Sequence, residues 1–205
     1  MSHPTVPDLL VLHTLRCMGA ASLARVADAA GMPPSDVESQ LIDLAVAGLV
    51  TTVTGEFGGW LLTDAGRAAD AERIADELAA VGTRATVERA FDGFLVLNPE
   101  LLDLCTAWQL RSVGGVLTAN DHRDGGYDAT VLHLFEDLDR RAEVVCAELA
   151  AAMRRFHRYR ARLADALRRV RAGALEYVTD DVASYHAIWF QLHEDLLATL
   201  GIPRQ

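Results

Sequence analysis

The stretch GMPPSDVESQLIDLAVAGLV, residues 31–50, decides how this chain is read. Gly31 stops whatever precedes it, and the two prolines restrict the backbone ahead of a helix that opens at Pro34 or Ser35. Val37, Leu41, Leu44 and Ala45 recur at helical spacing and form a stripe to be buried, while Asp36, Ser39, Gln40 and Asp43 fall on the other side. Gly48 supplies the C-terminal stop. The outward side carries acids, hydroxyls and an amide, and no Arg or Lys.

Upstream, PDLLVLHTLRCMG (residues 7–19) places Leu9, Leu10, Leu12, His13 and Leu15 near helical spacing. SLARVADAAG is a short helix capped by Ser22 and stopped by Gly31. Downstream, LVTTVT and WLLT flank the turn GEFGG, which predicts a hairpin over residues 49–63. Three helices followed by a hairpin is the order of a winged helix. Thr63 then caps a helix expected to continue to about residue 92, with a weak point at Gly82.

With SLARVADAAGMPPSDVESQLIDLAVAGLV and GGWLLTDAGR in this order, residues 6 to 70 resemble the winged-helix domain of MarR and related bacterial regulators. That resemblance implies transcription regulation, with Arg25, Ser35, Ser39 and Gln40 as the residues to meet DNA and a homodimer as the working unit.

The remainder predicts helices. Asn98, Pro99 and Glu100 read as a helix start, GGVLTANDHRDGG as a loop, Asp128 as the cap of a long helix from 129 to about 172, and Gly201 as the stop of a last helix. The expected fold is therefore mainly α: a winged helix-turn-helix domain at 1–68, a connecting helix at 69–92, and an all-helical ligand-binding or interaction domain at 93–205. The segments LNPELLDLCTAWQLR, NDHRDGGYD and SYHAIWFQLHEDLLATLG resemble parts of actinobacterial regulators and of proteins found beside pyruvate phosphate dikinase-like enzymes. This second resemblance implies no assigned reaction.

A chain of 205 residues with 51% hydrophobic and 23% charged content has ordinary globular composition. No apolar run reaches membrane-spanning length, and MSHPTVPDLL lacks the form of a signal peptide, so the expectation is a cytoplasmic protein with no membrane partner. Cys17, Cys105 and Cys146 stand singly in apolar surroundings, which suits buried thiols better than disulfides or zinc. All 19 basic residues are arginines, and the net charge of −10 argues against a surface that grips nucleic acid everywhere. Residues 1–62 hold two arginines, Arg16 and Arg25, against the six acids Asp8, Asp28, Asp36, Glu38, Asp43 and Glu56. Any DNA contact would thus have a weak electrostatic contribution.

The basic residues concentrate in RRFHRYRARLADALRRVR (154–171), eight arginines against Asp165. Met153, Phe156, Leu163, Leu167 and Val170 form its apolar stripe, and Arg155, Arg162 and Arg169 recur every seven residues. This is either a solvated face or an anion site, since guanidinium forks hold carboxylate and phosphate bidentately. In the last helix Tyr185, Trp189 and His193 share a face flanked by His186. Together with Trp108, His122, Tyr127, Arg155, Tyr159 and Arg162 they are the candidate lining for a small anionic or aromatic ligand. The pocket is expected between the two helices, with Trp189 and Tyr185 as wall and Arg155 or Arg162 as clamp.

His186 and His193 lie about 10.5 Å apart along a helix axis, too far for co-ligands, so no metal or other cofactor is expected. Asp121 and His122 could form an acid and base pair, but no nucleophile motif or phosphate loop accompanies them, and no catalytic residue is assigned. Three functions stay open: a ligand-responsive winged-helix regulator, a winged helix that has lost DNA binding and serves as a small-molecule-binding accessory protein, and an enzyme housed in the helical part.

Overall fold

The computed structural model describes residues 3–55 and 58–203. Glu56 and Phe57, at the tip of the expected wing turn, lie outside the described residues.

The first elements are α1 (Pro7–Met18), α2 (Leu23–Ala30), α3 (Pro34–Val46), β1 (Val50–Val53), β2 (Gly59–Leu62) and α4 (Asp64–Val81). Their ends follow local chemistry. The Ser22 hydroxyl accepts from the Arg25 amide, Pro34 stands in the first turn of α3, and Gly31 and Gly48 take the left-handed backbone that ends a helix without a Cβ clash. Strands β1 and β2 pair antiparallel from Val50↔Leu62 to Val53↔Gly59. Val37, Leu41 and Leu44 of α3 are buried beside Leu12, Leu15, Val26 and Leu62 in a small core, here called the head; Ala45 is only partly buried against it.

The body comprises α5 (Arg84–Gln109), β3 (Leu110–Val113), β4 (Val116–Ala119), α6 (Gly125–Ala152), a 3-10 turn (Arg154–Phe156), α7 (His157–Arg171), a second 3-10 turn (Leu175–Tyr177) and α8 (Tyr185–Leu200). Its larger core gathers Phe94, Trp108, Phe135, Leu138, Tyr159 and Trp189. Helices α5 and α6 pack as an antiparallel pair, α7 packs on α6 and α8, and α1 and α4 lie against α8.

Four expectations are corrected. The helix expected to run to about residue 92 ends at Gly82, and α5 then passes through residue 92 without a break. The start expected at Asn98 is helix interior, with Pro99 inside α5, because the Asn98 side-chain oxygen accepts from the Trp189 indole at 2.9 Å instead of capping. The helix expected through residue 113 ends at Gln109, and residues 110–113 pair with the start of the loop expected at 114–126 in a second hairpin, so the part from 93 on is not all-helical; Gly114 and Gly115, both at positive φ, form its two-residue turn. The long helix from 129 to 172 starts earlier, capped by Asp124, and breaks at Met153, whose extended backbone pairs with His3. No helix among the described residues is long and apolar enough to cross a membrane.

Gly66 sits in the first turn of α4, where an added Cβ would come within 1.9 Å of the Leu49 carbonyl oxygen. In an open helix Gly→Ala stabilises by about 1 kcal/mol. Here Gly66→Ala is expected to destabilise by about 1–3 kcal/mol, because the backbones of α4 and the β1 entry must separate. A urea unfolding midpoint that rises in the variant would contradict this packing.

Candidate functional site

Head and body meet on a buried ionic network. His13, at the centre of α1, faces Asp70 of α4 through Nδ1 at 3.0 Å and Asp195 of α8 through Nε2 at 3.0 Å. With both ring nitrogens donating to carboxylates, His13 is an imidazolium. Asp195 also accepts from Arg155 Nε at 3.3 Å and Thr199 Oγ1 at 3.1 Å on one oxygen, and from Arg158 Nη2 at 3.1 Å and Tyr159 at 2.9 Å on the other. Arg155 reaches on to Glu77, and Arg158 donates to the Thr14 hydroxyl at 2.6 Å. Three cations thus answer three carboxylates, Asp70, Glu77 and Asp195.

Burial alone would lower the His13 pKa, but Cys17, Asp195 and Asp70 outweigh it and hold the imidazole well above its usual value. Burial likewise opposes the Asp195 charge, and His13, Arg155 and Arg158 overcome it, holding the carboxyl well below its usual range. Cys17 Sγ lies 3.7 Å from His13 Nε2, so His13, Cys17 and Asp195 are close enough to be read as metal ligands. Two guanidiniums already stand on Asp195, and their charge opposes a further cation there.

The outward face of α3 is open. Ser35, Asp36, Glu38, Ser39 and Asp43 are exposed and Gln40 is half-buried. Beside them Ile42 and Val46, one turn apart, are 52% and 86% exposed. No arginine stands among these residues, and those nearby have carboxylate partners: Arg16 with Glu194, Arg67 with Asp64, and Arg73 with Asp8. Arg25 faces the seam between head and body instead.

Three adjoining cavities of about 390, 290 and 220 Å³ run along that seam, between α2 and α7. The first two share Gly31 and Arg158; the last two share Asp28, Arg162 and Ala183. Of the eight arginines at 154–171, six are answered by carboxylates: Arg155 and Arg158 in the network, Arg160 by Asp139, Arg168 and Arg169 by Asp165, and Arg171 by Glu136. Arg154 and Arg162 are left over, and both line the cavities. Arg162 donates to Gln191 at 2.7 Å, and its Nε is buried without a partner among the described residues. Burial, reinforced by Arg158 and Arg25, pulls its pKa below the usual guanidinium value. A cation so placed is stabilised by any anion that enters.

The single pocket expected from the aromatic face of α8 does not form. Tyr185 and Trp189 point into the body core, where the Tyr185 hydroxyl donates to Asp139 at 3.0 Å and the Trp189 ring stacks on Phe94 at 4.6 Å. His193 lies 5.1 Å from the same Phe94 ring, and His186 is half-buried at the start of α8. The flank of α8 that meets α7 carries Gln191 and Asp195 instead. Arg155 and Tyr159 belong to the network, and although Arg155 also borders the first cavity, Arg162 is the clamp candidate without a carboxylate ion pair among the described residues.

Trp108, His122 and Tyr127 gather at the base of the β3–β4 hairpin. The rings of Trp108 and His122 are 4.5 Å apart, and the Tyr127 hydroxyl donates to the Ala107 carbonyl at 2.8 Å. His122 pairs through Nδ1 with Asp128 at 3.1 Å, whereas Asp121 pairs with Arg111, so the expected Asp121–His122 couple does not converge. His122 itself has φ 56, a left-handed backbone that its bonded ring tolerates. No family model, no curated protein and no solved structure matches this chain.

The network has a pH signature. Because the folded-state pKa of His13 is raised, its contribution to stability is complete below the unfolded value of about 6.5 and is lost as pH rises through the folded value. Urea unfolding midpoints should therefore fall as pH rises above about 6.5, and His13→Gln should flatten that fall. Asp195→Asn should lose about 3–5 kcal/mol, since it strands buried cations. A His13→Gln profile parallel to the parent would remove His13 as the titrating group.

Proposed function

We propose that this chain is a ligand-responsive transcriptional regulator with a winged-helix head, and that its effector binds in the seam between head and body. The observation that carries the reading is the half-buried Arg162, which makes no carboxylate ion pair among the described residues, in a groove between α2 and α7 that Asp28 and Asp165 also line. The order α1-α2-α3-β1-β2 and the antiparallel pairing of the two strands support the winged helix. In such a head α2 and α3 are the two helices of the helix-turn-helix unit. An effector against Asp28 and Gly31 bears on the end of α2, one short turn from α3.

On DNA, the contacts come from Ser35, Ser39, Gln40 and the backbone amides at the start of α3, with Arg25 drawn away toward the seam. Few phosphates are neutralised. Ile42 and Val46, set among Asp36, Glu38 and Asp43, favour a second reading, in which α3 docks on a protein partner and the chain acts as a small-molecule-binding accessory protein.

Titration of the chain with its own upstream DNA across salt concentrations separates the two. As a regulator it should bind with a log–log salt slope no steeper than about −3 per subunit, each neutralised phosphate contributing about −0.9. The double variant Asp36→Asn, Asp43→Asn should then bind DNA more tightly. Absence of DNA binding in both parent and variant, with partner binding or self-association weakened in the variant, would replace the regulator with the accessory protein.

A further inference from the structure

The first cavity of the seam has a composition unlike the other two. One side of it is the extended segment before α1, held along the helix break at Met153 by the Arg154 amide donating to the His3 carbonyl at 3.2 Å. Arg154, Arg155, His157 and Arg158 line it, and among the described residues no carboxylate does. Arg155 is committed to Glu77 and Asp195, whereas the side chains of Arg154 and His157 have no partner among the described residues. The Arg158 side chain is 8% exposed, and its Nε is buried without a partner among the described residues; so is the hydroxyl of Thr5, which lines the same cavity. An unmade bond on a buried donor is costly in an empty site and is recovered when an acceptor arrives. The start of α7 also opens here, adding the positive end of its dipole.

The rest of the lining is apolar: Pro4, Leu10, Ala30 and Met32. A volume of about 390 Å³ lies at the lower end of what small-ligand sites occupy. One free guanidinium fork, one additional N–H, one imidazole and one hydroxyl suit a single oxyanion group, and the opposite wall suits hydrocarbon.

We propose that this cavity binds a monocarboxylate with a compact apolar body, its carboxylate on Arg154, Arg158 and the Thr5 hydroxyl and its hydrocarbon against Leu10 and Met32. The site is separate from the Arg162 groove and rests on the regulator reading only for the consequence of binding, while the site itself stands on the cavity. Bound there, the ligand ties the segment before α1 to the end of α2 and the start of α7, so its occupancy is felt in the head.

The test uses the full chain, with hexanoate and octanoate as probes, octanamide as the uncharged isostere and inorganic phosphate as the bare anion. Calorimetric titration and amide chemical shifts should show octanoate binding more tightly than hexanoate, with shifts centred on Thr5, Met32 and Arg154. Octanamide and phosphate should each bind at least about tenfold more weakly. Arg154→Gln, a change at an unpaired exposed side chain, should weaken octanoate about tenfold, while Arg162→Gln should leave it unchanged. The proposal is overturned by octanamide or phosphate binding as well as octanoate, by no carboxylate binding, or by loss of binding in Arg162→Gln alone. Octanoate bound at these amides without any change in affinity for DNA confirms the site and counts against the regulator.

Discussion

The buried ionic joint between head and body is organised around Asp195. Its two carboxylate oxygens collect five donors from three elements besides its own helix turn, and each cationic donor has a second duty: His13 to Asp70, Arg155 to Glu77, Arg158 to Thr14. Buried charges are tolerable only when paired and fully hydrogen-bonded, so the positions of α1, α4, α7 and α8 are set together or not at all. The break at Met153 serves this requirement. A helix running straight from α6 into α7 would not turn Arg155 inward beneath α8, whereas the extended residue and the 3-10 turn after α6 do.

The same geometry explains where the leftover cations lie. Six arginines of the 154–171 stretch are consumed by carboxylates within the chain, and the two that are not, Arg154 and Arg162, line the seam, Arg154 at its exposed edge and Arg162 half-buried within it. A solvated basic face would have spread them outward. The acidic outer face of α3 and the seam with its leftover cations are therefore chemically distinct surfaces.

Much of the head is legible in the sequence because its signals are local: the Val37, Leu41 and Leu44 stripe, the Ser22 and Thr63 caps and the glycines at 31 and 48 each act within a few residues. Where a residue's role is set by a distant partner, local reading fails. Asn98 followed by proline has the form of a helix start, yet Asn98 answers an indole 91 residues away. The glycine pair at 114 and 115 reads as a loop because its strands are only four residues long. The tyrosine and tryptophan of α8 suggest a pocket wall, but the periodicity that groups them does not say whether α5 or α7 stands opposite. His13 sits among leucines with nothing nearby to mark it, and its partners are 57 and 182 residues off. The one available hint is Asp195, an acid on the apolar side of its own helix.

The pairing of three positive with three negative groups at the joint leaves it without a monopole, and burial of His13 and Asp195 shortens the reach of counterions at its centre. Ionic strength, which loosens exposed pairs such as Arg67 with Asp64, has little purchase on it. Warming acts in the opposite sense from its usual effect on a fold: the hydration that buried ions forgo becomes less favourable as temperature rises, while the gain per area of apolar surface levels off. The joint between the two cores is therefore the part of this protein whose relative strength grows with heat, so that the apolar cores soften around a junction that holds.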